Sequence, residues 1–279
     1  MTQLFVSDVD GTLVDRRAQL SARTRAGLHA LLERGLPFTV ASARSAYSLS
    51  VMLAGLPLRL PVIEFNGAYL TDLSTGQRAF VRAIDRALCE DVHARGLALG
   101  LQSFVSAFDG KRDLLYHGPA ANEGMQWYID ERISFRDPRL QSVDDVRVAL
   151  SHQVVCMTFV AREAVLQPLV EQLTLLYPDQ LRLNFYENHY SPGWHWLSVH
   201  HSLSTKAHAL QVLCEQLGVP LSALTVFGDE QNDIPMFEIA GRAVAVGNAH
   251  PLLRPLAHEI IADHEQDSVI GYLERSWSP

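Results

Sequence analysis

Residues 5–14 read FVSDVDGTLV. A short apolar run ends in two aspartates one residue apart, then a glycine, then apolar residues again. Carboxylates that close raise each other's pKa and repel. At the end of a buried strand the pair needs a metal, a proton or a phosphate beside it. The rest of the chain has to say which.

Other stretches share the form of this one. QLFVSD (3–8), PFTVASA (37–43) and LTVFGD (224–229) are short apolar runs that end in polar or small residues, as buried strands do. SARTRAGLHALLERG (21–35) opens on an N-cap serine and closes on Gly35, and STKAHALQVLCEQLG (204–218) does the same and closes on Gly218, which are helix start and stop signals. RAVAVGN (242–248) and HEIIAD (258–263) read as two more strands, with a helix before the first, around 233–240, and another between them. This alternation predicts an α/β fold, a Rossmann-like parallel sheet with helices on both faces. Ligands of such sheets bind beyond the carboxyl ends of the strands. Asp8, Ser42 and Asp229 all fall there.

The middle of the chain has a different grammar. A helix is expected over 84–98, then strands over LQSFVSAF (101–108) and DLLYHG (113–118) around a turn at Asp109-Gly110. A mixed stretch follows, then a strand (152–160), a helix (161–176) and a strand (180–188). Such an order predicts an antiparallel α+β unit inserted into the parallel one. The expected division is core 1–83, insert 84–192 and core 193–279.

Composition narrows the function. The 279 residues carry a formal net charge of -8, which argues against nucleic acid or an anionic membrane as a partner. Cys89, Cys156 and Cys214 are far apart and odd in number, which fits reduced thiols better than a disulfide framework or a zinc site. No basic stretch leads into an apolar core at the N-terminus, and no run is long enough to cross a membrane, so the expected location is cytoplasmic. No sequence feature sets an oligomeric state.

The polar residues at the strand ends belong together. Asp8 and Asp10 come from the first strand, Ser42 and Arg44 from ASARS, Lys206 from the start of a helix, and Asp229, Asn232 and Asp233 from GDEQND. Four acids facing one lysine and one arginine repel one another strongly. Hard oxygen ligands in a small cluster suit Mg²⁺, which also binds substrate phosphates. A lysine, a hydroxyl and exposed N–H groups can cradle a phosphoryl group. The combination points to phosphoryl transfer.

DVDGTL, ASAR, a lysine opening a helix and GDEQND, in that order, resemble the four motifs of the haloacid dehalogenase superfamily of phosphatases. The insert between the second and third motifs resembles the large cap of the Cof-type subgroup, as do NGA (66–68) and GNA (247–249). The resemblance covers essentially the whole chain. It implies that Asp8 is the nucleophile, forming an aspartyl-phosphate, and that Asp10 is the general acid and then the base. It implies Mg²⁺ held by Asp8, the Asp10 carbonyl and Asp229, with Asp233 acting more through an intermediary. Lys206 would neutralise Asp8 and the phosphoryl oxygens, while Ser42, the Ala43 N–H and Asn232 hold the phosphate. Arg44 would touch phosphate or substrate, or serve only as a structural ion pair. The cap would close over the site and select the leaving group.

Ser42-Ala43-Arg44 stands where the family often has Thr-Gly-Arg, and Ala207 where a glycine often follows the lysine. Neither change removes a reacting group. Asn66-Gly67 reads most simply as a hairpin turn, and Ser42 could instead cap the next helix. His195 and His201, at alternating strand positions, read as half-buried rather than metal-binding. Glu187, Asn188, His189 and Tyr190 are candidates for contact with a leaving group. The function implied is a Mg²⁺-dependent phosphatase of a small soluble phosphomonoester, a sugar phosphate or similar metabolite. Its rivals are a phosphosugar mutase of the same fold and a non-catalytic binding protein.

Overall fold

The computed structural model describes residues 3–188 and 191–279. His189 and Tyr190, two of the candidates for leaving-group contact, lie outside the described residues. In chain order the first segment contains β1 (Leu4–Ser7), α1 (Ala22–Glu33), β2 (Phe38–Val40), α2 (Ala46–Met52), β3 (Val62–Glu64), β4 (Tyr69–Thr71) and β5 (Arg78–Val81). Next come α3 (Arg86–Ala98), β6 (Ser103–Phe108), β7 (Asp113–His117), α4 (Glu123–Ser134), β8 (Leu140–Ser142), β9 (Gln153–Ala161), α5 (Glu163–Leu176), β10 (Leu181–Glu187) and β11 (His195–His201). The last segment holds α6 (Lys206–Leu217), β12 (Leu224–Gly228), α7 (Ile234–Ile239), β13 (Arg242–Ala245), β14 (Glu259–Ile260) and α8 (Ser268–Ser276). Two compact units result: Met1–Phe80 with Thr205–Pro279, and Val81–Ser204.

The first unit is built on a five-stranded sheet in the order β14-β13-β12-β1-β2, with every pairing parallel. Its strands β1, β2 and β12 are buried along their whole length, because both faces are covered. Phe5 and Phe227 point into the core shared with α1 and α8, while Leu4, Val6, Leu224 and Val226 point into the core shared with α6 and α7. A parallel bridge from Ala41 to Ile63 links the sheet's edge to a smaller sheet, β3-β4-β5. The expected caps hold at Ser21, which accepts from the Thr24 N–H, and at Gly218, which ends α6 in the left-handed region. The N-cap of α6 is Thr205 rather than Ser204. The helix expected between β13 and β14 is only a 3-10 turn at Arg254–Leu256. Pro251 precedes that turn and Pro255 lies inside it, and each removes a donor that an α-helix needs.

The second unit is a six-stranded sheet, β10-β11-β9-β6-β7-β8, antiparallel except where β8 joins β7. α3 and α5 pack on one face, and α4 packs on Phe104, Val160 and Trp196 of the other. The mixed stretch after residue 118 contains α4, capped by Asn122, whose side chain accepts from the Met125 N–H. The structure moves the second boundary of the insert. Residues 195–201, assigned to the core from sequence, form β11, which lies between β10 and β9 in seven-residue antiparallel register with β10. Trp196, Leu197 and Val199 are buried there, so the strand completes the insert's sheet and the core resumes at Thr205.

Candidate active site

β1 and β12 are neighbours in parallel register, with Ser7 beside Phe227. Residues leaving their carboxyl ends are therefore brought side by side. Asp8 follows β1, and its N–H still donates to the Phe227 carbonyl at 2.9 Å. Asp229 follows β12. Asp233 lies one turn further on, at the start of α7. The carboxylates of Asp8, Asp229 and Asp233 are all buried, and one oxygen from each falls within 4.8 Å of the others.

Lys206 is the cation that enters this cluster. Its Nζ donates to Asp8 Oδ1 at 2.7 Å and to Asp233 Oδ1 at 2.6 Å. A cation in the first turn of a helix opposes the helix dipole, and this one is also buried. Burial works against its charge, but Asp233 and Asp8 outweigh that and hold the Lys206 pKa above its ordinary value. The carboxylates are left under-compensated. Burial, then the Asp233 charge, pushes the Asp8 pKa well up, with Lys206 opposing. Burial and Asp233 likewise push Asp229 to about 7, against the pull of a hydrogen bond from Thr12. Three buried carboxylates share one ammonium, an arrangement that a divalent cation bound by oxygen would balance. On that ground the residues present fit Mg²⁺.

The two oxygens of Asp233 are already engaged. Oδ1 meets Lys206, and Oδ2 accepts the backbone N–H groups of Asp229 and Glu230 at 2.9 and 3.1 Å. This carboxylate is tied into the turn that aims Asp229. Asp229 Oδ1 accepts from Thr12 Oγ1 at 2.8 Å. Gly11 makes room for it: its φ is +71, and a Cβ there would lie 2.2 Å from Asp229 Oδ2. A side chain at position 11 would clash with the carboxylate and sit in a backbone region that only glycine adopts freely. The Gly11 carbonyl is held by Asn248 Nδ2 at 2.8 Å.

Asp10 stands apart from the buried cluster. Its side chain is 48% exposed and pairs with the Arg44 guanidinium at 2.7 Å. Arg44 lies in the turn between β2 and α2. Ser42, buried in that turn, accepts the Arg44 N–H at 3.1 Å. It does not cap α2, a role taken by Ser45. The turn is clamped by the β3–β4 hairpin, since the Phe65 and Asn66 N–H groups donate to the Arg44 and Ser42 carbonyls at 3.0 and 2.9 Å. Ala43 is exposed at its tip. Glu64, wholly buried, accepts the Ala46 N–H and Thr71 Oγ1 and pairs with Arg78, which anchors α2 to the same hairpin.

Asn232 donates from Nδ2 to Asn66 Oδ1 at 3.1 Å, and its own Oδ1 is buried with no hydrogen-bond partner. Asn66 therefore joins the site, which its reading as a hairpin turn did not convey. Gly67 explains the rest of that motif. Its φ is +105, and a Cβ there would lie 2.2 Å from the Thr205 carbonyl. The glycine lets the hairpin press against the residue that caps the lysine's helix. Thr12, Asn66 and Asn248 are the polar residues that the sequence reading did not assign. Each sits in a stretch it quoted, DGTL, NGA or GNA.

His195 and His201 lie on β11 in the second unit, both half-buried. His195 sits beside Phe185 and 3.9 Å from Glu163, and His201 accepts the Leu203 N–H. Neither belongs to a group of potential metal ligands among the described residues. Glu187 accepts the Gly193 N–H at 2.6 Å and the Asn188 N–H donates to the Trp194 carbonyl, which closes the β10–β11 connection. The three cysteines are free and buried. No described helix is long and apolar enough to cross a membrane.

Comparison with known proteins gives a consistent result. The family model for haloacid dehalogenase-like hydrolases matches residues 5–273. The chain is 25% identical over 283 residues to the 5-amino-6-(5-phospho-D-ribitylamino)uracil phosphatase YitU of Bacillus subtilis, covering 99% of this chain and 97% of that one. It is 26% identical over 280 residues to an HMP-PP phosphatase of Cronobacter sakazakii, covering 99% and 96%. Among solved structures, a haloacid dehalogenase-like hydrolase from Bacteroides thetaiotaomicron superposes with a TM-score of 0.81 at 21% identity, over 99% of this chain and 100% of that one. A protein from Thermotoga maritima also reaches 0.81, at 23% identity over 100% and 99%.

Proposed function

The chain belongs to the haloacid dehalogenase-like hydrolases, and from that premise we propose that it hydrolyses a small soluble phosphomonoester with Mg²⁺ bound. The observation that carries this reading is the Lys206 ammonium shared between Asp8 and Asp233 inside a cluster of three buried carboxylates. One ammonium beside an under-compensated carboxylate suits a site that takes a metal and a phosphate dianion together. The named relatives are a 5-amino-6-(5-phospho-D-ribitylamino)uracil phosphatase and an HMP-PP phosphatase, which supports a metabolite as substrate. A sugar phosphate or similar polyol phosphate is the class we propose, in a reducing cytoplasmic setting that suits the three free thiols.

Asp8 attacks phosphorus through a carboxylate oxygen as the bond to the leaving oxygen breaks. Asp10 gives that oxygen its proton. Water then attacks the aspartyl-phosphate, Asp10 takes the water's proton, and the Asp8 carboxylate leaves as inorganic phosphate forms. Lys206 favours the ionised form of Asp8 and aims it, and contacts the phosphoryl oxygens. Ser42, the Ala43 N–H and Asn232 hold the remaining oxygens. Asp8, the Asp10 carbonyl and Asp229 would hold Mg²⁺, with Asp233 fixing the turn behind them. When bound, the ion supplies charge neutralisation on the phosphoryl group.

The test is release of inorganic phosphate from a panel of phosphomonoesters with Mg²⁺, alongside Asp8→Asn. Free phosphate in the wild type alone supports the reading. An isomerised sugar phosphate without free phosphate would make the protein a mutase. Silence across the panel, with Asp8→Asn indistinguishable from wild type, would remove the enzyme reading.

A further inference from the structure

We propose that Arg44 is a positioning residue for Asp10 and not a ligand of the substrate phosphate. The chemistry rests on the phosphatase reading; the assignment rests on geometry. Arg44 Nε donates to Asp10 Oδ2 and Nη2 donates to Oδ1, both at 2.7 Å. The two planar groups meet fork to fork, which fixes angle as well as distance. Nη1 donates to Ser48 Oγ, on the first turn of α2, at 3.1 Å. The Arg44 backbone is held as well, by Ser42 Oγ and the Phe65 N–H. The arginine is fixed from main chain to guanidinium, and its head is turned to the carboxylate.

Asp10 needs such a holder. It sits in the turn after β1 with its side chain about half exposed. A general acid or base works only within hydrogen-bond reach of the oxygen it serves. An exposed carboxylate on a turn would sample many orientations. The fork fixes the plane of the carboxyl group. When the contact to one oxygen opens, that oxygen takes up the proton and faces the reacting centre while the other stays on Arg44. From there it delivers its proton to the leaving oxygen as the P–O bond breaks. It then takes one from the water whose oxygen bonds to phosphorus as the Asp8–phosphorus bond breaks.

The experiment compares wild type, Arg44→Met, Asp10→Asn and the double variant on two substrates with Mg²⁺ present. 2-Glycerophosphate has an alkoxide leaving group that needs a proton; p-nitrophenyl phosphate leaves as a stable phenolate. The kcat/KM of each reports the steps up to phosphoryl transfer to Asp8. Arg44→Met is expected to lower kcat/KM for 2-glycerophosphate by about 10- to 100-fold, part of what a placed general acid is worth. The loss on p-nitrophenyl phosphate is expected to be at least about fivefold smaller, because that leaving group needs less help from the acid. In the Asp10→Asn background, Arg44→Met should add less than about twofold on 2-glycerophosphate, since both changes remove one function. Arg44→Lys should restore only part, because an ammonium lacks the fork. Equal losses on both substrates, or losses that add in the double variant, would make Arg44 a phosphate ligand and overturn the proposal.

A second arm needs no turnover. In the metal-free protein, the Arg44 Nε–H NMR signal, identified by its loss in Arg44→Lys, should shift and exchange faster in Asp10→Asn. An unmoved signal overturns the pairing. If the wild type released no phosphate from either ester, the phosphatase reading would fall, while this arm would still decide what Arg44 holds.

Discussion

Lys206 and Asp233 form an ion pair wholly removed from solvent, Nζ to Oδ1 at 2.6 Å. Removing one partner of such a pair leaves a buried charge uncompensated. Here it leaves Asp8 uncompensated as well, because the same Nζ serves both. Lys206→Met should therefore lower the stability of the metal-free protein by about 3–5 kcal/mol, measured by urea unfolding at pH 7. A loss below about 1 kcal/mol, the scale of an exposed pair, would mean that the lysine is not the main compensating charge.

Asp8→Asn separates function from stability. An amide cannot form the aspartyl-phosphate, so phosphate release should disappear. Stability should move the other way. Burial and the Asp233 charge hold the Asp8 pKa well above its ordinary value, so the ionised side chain is a strain on the fold and a neutral isostere relieves it. Differential scanning fluorimetry should show an unchanged or higher melting temperature, a gain of about 1 kcal/mol appearing as roughly 2–4 °C at this size. Retained turnover would remove Asp8 as nucleophile, and a fall of more than about 5 °C, beyond a 1 kcal/mol change, would contradict the electrostatic argument.

Asp229 has a folded-state pKa pushed up to about 7, chiefly by burial and Asp233. A raised carboxyl pKa means that the folded protein holds this proton more tightly than the unfolded chain. Its contribution to metal-free stability is full below about pH 4 and is lost as pH rises toward 7. As the proposed Mg²⁺ ligand, Asp229 must be ionised, so protons compete with the metal. Calorimetric titration with Mg²⁺ should show affinity falling as pH drops below about 7, by up to roughly tenfold per pH unit. Thr12→Val, which removes the hydrogen bond favouring the charged form, should move that midpoint upward. A pH-independent affinity between 6 and 8 would place the ion elsewhere.

His200 gives a second pH dependence, in the second unit. It is buried on β11, with Nδ1 at 3.1 Å from the Val155 carbonyl and Nε2 at 3.5 Å from Cys156 Sγ. Burial pushes its pKa down to about 4. The unfolded chain takes a proton near pH 6.5 and the folded one resists, so stability is lost as pH falls from about 6.5 toward 4, by roughly 3 kcal/mol at most. Thermal melts of wild type and His200→Gln across that range should converge as pH falls. Parallel curves would mean that the imidazole is protonated in the fold.

The strand-end motifs were legible because they are local. In FVSD and FGD the chemistry-bearing residue directly follows a strand whose apolar run can be read without its neighbours. Ser21 and Gly218 were legible for the same reason, since a cap is settled within one turn of helix. β11 was not. HWLSVHH carries no sign of which sheet it joins, and only its pairing with β10 and β9 assigns it to the insert. The 249–257 stretch shows the opposite error, an apolar pattern read as helix where Pro251 and Pro255 interrupt the hydrogen bonding.

The residues that support the site divide in the same way. The order of the four motifs is a property of the chain, and so are the two aspartates, the lysine at a helix start and the acids of GDEQND; these carry the reaction class. Which oxygen meets which donor is a property of packing. That Lys206 bridges Asp8 and Asp233, that Gly11 yields its space to Asp229, that Gly67 presses on Thr205 and that Arg44 grips both oxygens of Asp10 each depend on segments brought together by the sheet. Sequence spacing specifies period and caps because those act over a few residues. It does not specify contacts across tens or hundreds of residues, because those are set by parallel register and by the volume that buried side chains leave free.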